Sequence, residues 1–166
     1  MFEKLNTPEE IFSFKLDSAL KMEHDVLKLL DELQEKTQRN ELRQLFSEHA
    51  DETRQHIVNI ERSFELLGEK PDDSPSPVTK GLHAEGKATM KKTDNSIIDA
   101  VILSGAIETE HFEIAVYEVL VTNAEARGAP EVAALLQQNL EQEHAALDKV
   151  KSAAQRIAHE GCAVAA

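Results

Sequence analysis

The chain has 166 residues, of which 41% are hydrophobic and 4% aromatic, enough for one domain with a core built mainly from Leu, Ile, Val and Ala. Eighteen Lys and Arg stand against 31 Asp and Glu, giving a formal net charge of −13 and a pI near 4.9. That balance argues against nucleic acid as a partner, because phosphate neutralisation needs clustered Lys and Arg, and against an anionic membrane surface. An acidic excess is ordinarily a solvated surface. The alternative is that some carboxylates lie inside and hold cations, so the question becomes where the acids sit.

The lone cysteine, Cys162, allows no disulfide framework within one chain. After Met1-Phe2-Glu3-Lys4 there is no apolar stretch of signal-peptide length, and no run approaches the roughly 18 apolar residues needed to span a bilayer. A cytoplasmic protein is the expectation.

Thr7-Pro8-Glu9-Glu10 places a capping hydroxyl, a proline and a reciprocating glutamate in order, which predicts a helix over about 8–37. Its apolar residues Phe12, Ala19, Leu20, Leu27 and Leu30 recur at helical steps. A second helix, about 40–67, carries Leu42, Phe46, Ile60, Phe64 and Leu67 and stops at Gly68. The stretch 69–77 holds three of the five prolines and reads as irregular, followed by a short polar helix over about 78–92. A third long helix, about 94–127, runs through Ile98, Leu103, Ile107, Ile114 and Val121 to Gly128. Pro130 opens the fourth, about 130–160, through Leu136, Leu140, Leu147, Val150 and Ile157 to Gly161, leaving 161–166 as a tail. Two helical hairpins with short turns, joined by about 25 residues, have the connectivity of a ferritin-like four-helix bundle. The fold expected is all-α, with residues 1–166 as a single domain.

The informative residues are the charged ones that interrupt these apolar stripes, because a buried carboxylate costs several kcal/mol unless it is paired or bound to a metal. On a helical wheel Glu23 falls amid Leu16, Leu20, Leu27 and Leu30. Glu110 falls amid Leu103, Ile107, Ile114, Tyr117 and Val121, and Glu143 amid Leu136, Leu140, Leu147 and Val150. On the second helix His49 and His56 take the stripe centre, with Glu52 on its flank. Residues equidistant from a hairpin turn share a height, so Glu23 is level with position 54, bracketed by Glu52 and His56, and Glu143 is level with position 114, beside Glu113. Glu23, Glu52, His56, Glu110, Glu113 and Glu143 are therefore the candidate ligands of a dinuclear Fe or Mn centre, oxygen-rich with imidazole. By the same height rule His49 lies some 7 to 8 Å off the plane and reads as a core or rim histidine. His24, His111 and His144 point about 100° away from the stripe glutamates they follow and read as surface or supporting groups. Glu108 lies near by, and His83 and His159 carry no signal. Tyr117 reads either as a core tyrosine or as a donor that orients a ligand carboxylate.

His49-Ala-Asp-Glu52-Thr-Arg-Gln-His56, Ser63-Phe-Glu-Leu-Leu-Gly-Glu-Lys-Pro71, Lys80-Gly-Leu-His-Ala-Glu-Gly86 and Glu110-His-Phe-Glu113-Ile-Ala-Val-Tyr117 together resemble the YciF-like bacterial stress-protein family of the ferritin-like superfamily, over about residues 4–158. The resemblance implies a ferritin-like bundle, a homodimer and a link to stress, with no firmly assigned biochemical activity. If the protein is an enzyme, the candidate ligand set points to a di-metal oxidoreductase of ferroxidase or peroxidase type. The superfamily pattern has Glu-x-x-His on the second and fourth long helices; here Gln55 and Ala146 stand where those histidines would be. Glu23, Glu52, Glu110 with Glu113, and Glu143 occupy the glutamate places, so either the extra glutamate on the third long helix makes up for the missing imidazoles or one metal position is weak or lost. A DNA-coating bundle would need a basic arm that the chain lacks. The remaining rival is a metal-free structural or interaction bundle whose buried Glu and His residues hydrogen-bond to one another.

Overall fold

The computed structural model describes residues 4–72 and 74–164. The order is α1 (Pro8–Lys36), α2 (Asn40–Leu67), α3 (Pro77–Met90), a 3-10 turn (Asn95–Ile97), α4 (Ile98–Ala126) and α5 (Pro130–Val164), with no strand among the described residues. The expected capping box is in place. Glu10 N donates to Thr7 Oγ1 at 3.1 Å and Thr7 N donates to Glu10 Oε2 at 3.2 Å, pairing backbone donors that the first turn leaves free. Gly68 ends α2 in the left-handed region at φ 70°, where a side chain would be strained, and the N–H groups of Gly68 and Glu69 close on Glu65 and Phe64.

Boundaries differ from expectation at three places. Pro77 is the first residue of α3, as suits its fixed φ. Before α4 the chain makes the 3-10 turn, capped by the Asp94 side chain on Ser96 N at 2.8 Å. α5 continues through Gly161 to Val164; a glycine stops a helix when it adopts the left-handed conformation, and the alanine-rich surroundings favour the helix instead. Residues 1–3 and the last two of the expected tail lie outside the described residues.

The four long helices pack α1 against α2 and α4, and α5 against α2 and α4. Leu16, Met22, Leu42, Phe46, Ile60, Phe64, Leu103, Leu120 and Leu136 fill the centre, and Arg127 covers the ring of Phe12 at 4.5 Å. The crossover is tied down by Asp17, which accepts from Asp72 N at 2.7 Å. Helix α3 lies on α1 and α4, with His83 Nε2 at 3.0 Å and Lys87 Nζ at 2.7 Å from the two oxygens of Glu32. His83, silent in sequence, thus pins α3.

At the far end, buried Asp99 of α4 accepts from Thr37 Oγ1 at 2.7 Å and Gln38 N at 2.9 Å, joining the α1–α2 turn to the second hairpin. Asp99→Ala leaves the buried Thr37 hydroxyl and the Gln38 N–H unpaired, at a cost of about 3 kcal/mol. A fall in melting temperature of roughly 6 to 12 °C is expected by calorimetry.

Candidate metal centre

At mid-height the faces turned to the bundle axis stop being apolar. α1 contributes Glu23, α2 His49 and His56 two turns apart, α4 Glu110 and Glu113 three residues apart, and α5 Glu143; none is more than 3% exposed. Their ligating atoms fall into two groups, each with all atoms within 4.8 Å of one another: His49, Glu110, Glu113 and Glu143, and Glu23, His56 and Glu143. Glu143 belongs to both. His49 Nε2 is 3.2 Å from Glu110 Oε1 and 3.6 Å from Glu143 Oε2; His56 Nδ1 is 3.0 Å from Glu143 Oε1 and 3.5 Å from Glu23 Oε2.

The outer nitrogen of each imidazole faces an oxygen. His49 Nδ1 is 3.0 Å from Glu52 Oε2, and His56 Nε2 is 2.9 Å from Gln142 Oε1. Both oxygens act as acceptors there, so the outer nitrogens carry the protons and, in the neutral rings, the lone pairs of His49 Nε2 and His56 Nδ1 point inward. Tyr117, 0% exposed, donates its O–H to Glu23 Oε1 and accepts from Asn139 Nδ2 at 3.0 Å.

Many of the inward atoms have no hydrogen bond. Glu23 Oε2, His49 Nε2, His56 Nδ1, Glu110 Oε2 and both oxygens of Glu113 and Glu143 are buried and unsatisfied. Native proteins rarely leave such groups orphaned without an ion, water or functional reason. Burial, reinforced by the charges of Glu143, Glu23 and Glu110, holds the Glu113 carboxyl well above the usual carboxylate range. Burial likewise lifts Glu143 to about 8, although the neighbouring His56 imidazole pulls the other way. For the imidazoles burial acts downward but is outweighed. The charge of Glu23 and the contacts with Glu143 raise His56 to about 10, and Glu110 raises His49 well above 6.5. Without a cation, protons must do the neutralising.

The structure brings together Glu23, His56, Glu110, Glu113 and Glu143 from the expected ligands. Glu113, on the edge of its stripe by the wheel, is fully buried. Glu52 lies in neither group; it is partly exposed, holds the outer nitrogen of His49, and is met by Lys149 Nζ at 3.4 Å. His49, read from its height as a core or rim histidine, is in the first group. The height rule matches residues within each hairpin, whereas each of the two groups draws residues from both hairpins and they share Glu143. Tyr117 has its hydroxyl on Glu23 inside the bundle and not at the rim. His24, His111, His144, His159 and Glu108 are exposed. Sequence reasoning passed over Gln142, Asn139 and Asn59; the detectable signal was that Asn139 and Asn59 are amides inside otherwise apolar stripes.

A family model described as "Domain of unknown function (DUF892)" matches residues 7–163. Protein YciF of Escherichia coli strain K12 is 31% identical over 143 residues, 85% of this chain and 86% of YciF. The crystal structure of YciF, an E. coli stress protein, superposes with a TM-score of 0.86 at 29% identity, covering 90% of this chain and 96% of that one. YcfI from Rhodopseudomonas palustris gives 0.87 at 30% identity, covering 91% and 98%.

Proposed function

The chain belongs to the DUF892 family and is similar to the stress protein YciF, and from that premise and the chemistry of its core we propose that it is a ferritin-like stress protein binding a dinuclear iron or manganese centre. The observation that carries this reading is the set of buried, unsatisfied carboxylate oxygens and imidazole nitrogens converging on the bundle axis. Four glutamates, Glu23, Glu110, Glu113 and Glu143, carry four formal negative charges when ionised, which two divalent cations balance while His49 and His56 remain neutral. Carboxylate with imidazole suits Fe or Mn and not the softer thiolate-binding metals. Bound Fe(II) would supply one-electron redox chemistry toward O₂ or peroxide, as in a ferroxidase or peroxidase.

The protein's own part is in the residues around the ions. Glu52 and Gln142 fix which imidazole nitrogen faces inward, and such partners commonly govern metal affinity by 10- to 100-fold. The packed helices keep bulk water from the carboxylates, so the charges act in a medium of low dielectric constant. The rival, a metal-free hydrogen-bonded core, leaves Glu113 with both oxygens unpaired and is the weaker reading.

No described helix is long and apolar enough to cross a membrane; the cytoplasmic location and the homodimer stay part of the proposal, the latter open to light scattering. The deciding experiment loads purified apoprotein anaerobically with Fe(II) or Mn(II), removes free metal and counts ions by elemental analysis. Two ions per chain are expected, with a melting temperature that falls on chelation because the metal binds only the folded state. Protein that comes through loading metal-free overturns the reading.

A further inference from the structure

A line of hydrogen bonds runs from the surface to Glu23 with all its donors pointing the same way. Gln55 Nε2 donates to Asn59 Oδ1 at 2.9 Å, Asn59 Nδ2 to Asn139 Oδ1 at 2.7 Å, Asn139 Nδ2 to the Tyr117 oxygen at 3.0 Å, and Tyr117 O–H to Glu23 Oε1. The direction is forced by chemistry. Asn139 Nδ2 also lies 3.3 Å from the His56 backbone carbonyl, which only accepts, so reversing the amide would set oxygen against oxygen. With its nitrogen facing Tyr117 and His56, Asn139 must present oxygen to Asn59. Asn59, 4% exposed, must then present nitrogen inward and oxygen toward Gln55. The Tyr117 oxygen, receiving an N–H from Asn139, has its one proton left for Glu23.

Asn139 is thereby placed against one of the two ligand groups. It reaches Glu23 through Tyr117, touches the backbone of His56 directly, and stands one helical turn before Glu143 on α5. Those are the three residues of the second group. His49, Glu110 and Glu113 take no part in the chain of hydrogen bonds. Glu23 Oε1 is occupied by the phenol, and the oxygen without a hydrogen bond, Oε2, is the one that lies 3.5 Å from His56 Nδ1.

We propose that the buried Asn59–Asn139 amide pair is a positioning device for a single cation position: by fixing the direction of the Tyr117 hydroxyl it selects which oxygen of Glu23 faces the ion held with His56 and Glu143, and it leaves the position at His49 untouched. This rests on the dinuclear reading above. Asn59 and Asn139 are positioning residues and touch no ion.

The test is a Mn(II) titration of the full chain by calorimetry, with Tyr117 watched in parallel. Tyr117 is the single tyrosine and the chain has no tryptophan, so its near-ultraviolet band reports this one phenol. Replacing both amides together, N59L/N139L, avoids leaving one partner unpaired, a substitution that can be nearly neutral for folding. The expected result is a 10- to 100-fold weaker affinity for one of two Mn(II) ions, the other changing by less than about threefold, with a shifted Tyr117 band. Y117F is expected to produce the same one-ion loss, and adding it to N59L/N139L to produce little more, because both act through one chain. Equal loss for both ions, loss for neither, or full additivity overturns the positioning role while two-ion binding by the unmodified protein keeps the dinuclear reading. An unmodified protein that binds no Mn(II) or Fe(II) overturns both.

Discussion

Glu143→Ala is expected to strip both metal ions from the protein, whereas Glu110→Ala is expected to weaken one of them. Glu143 is the one residue common to the two ligand groups, with Oε1 toward His56 and Oε2 toward His49. Removing it would take a donor from each proposed position and leave the remaining carboxylates without the one group that both positions would share. Glu110 belongs to the His49 group alone. The expected loss for Glu143→Ala is at least about 100-fold in affinity at both positions, beyond what the loss of a supporting partner produces. Glu52→Ala provides the contrast. Its carboxylate orients His49 from outside, so its removal should cost about tenfold at one position. Calorimetric titration with Mn(II), supported by elemental analysis after dialysis, separates the three variants. A Glu143→Ala protein that keeps one ion at undiminished affinity would show that the two groups do not share this residue.

The bundle and most of the buried acidic cluster are legible in the sequence because both rest on the same periodicity. Helix stripes repeat every 3.6 residues, so an acid in a stripe announces itself, and Glu23, Glu110 and Glu143 were read in that way. Side-chain reach is not encoded in that pattern. His49 sits two turns from His56, a separation that looks too large on a height diagram, yet the two rings are 6.4 Å apart and both reach the oxygens of the shared Glu143. Glu52 shows the same limit: its height fits the cluster, but from the flank of the stripe its carboxylate meets the outer nitrogen of His49. Asn139 escaped notice because a single amide in an apolar stripe has no meaning until its partners on two other helices are known. The shared role of Glu143 is likewise a property of three helices at once, beyond any one-dimensional pattern.

The metal-free protein is expected to lose stability as the pH rises, and the metal-loaded protein to lose that dependence or reverse it. Glu143 is raised from 4.5 to about 8 and Glu113 well above 4.5 in the folded state, in both cases first by burial. His56 is raised from 6.5 to about 10 and His49 well above 6.5, the neighbouring glutamates outweighing burial. All four groups bind protons more tightly folded than unfolded. Their stabilisation is therefore complete below the unfolded values and is lost as the pH climbs toward the folded ones, from about 4.5 to 8 for Glu143 and from about 6.5 to 10 for His56. Asp25, Glu32 and Glu52 are lowered from the ordinary carboxylate range, so they are already ionised across this window and contribute no slope. One net proton taken up on folding corresponds to about 1.4 kcal/mol per pH unit, or roughly 3 to 6 °C in melting temperature for a domain of this size. Between about pH 5.5 and 8.5 the chelated protein should thus melt progressively lower. Metal reverses the logic, because carboxylates and imidazoles must give up their protons to bind it, and its affinity rises over the same range. Differential scanning calorimetry of chelated and Mn(II)-loaded protein across that range is the measurement. Glu113→Gln, which cannot ionise, should flatten the chelated profile. A chelated protein whose melting temperature rises with pH would mean that the buried carboxylates are neutralised by something other than protons or bound cations.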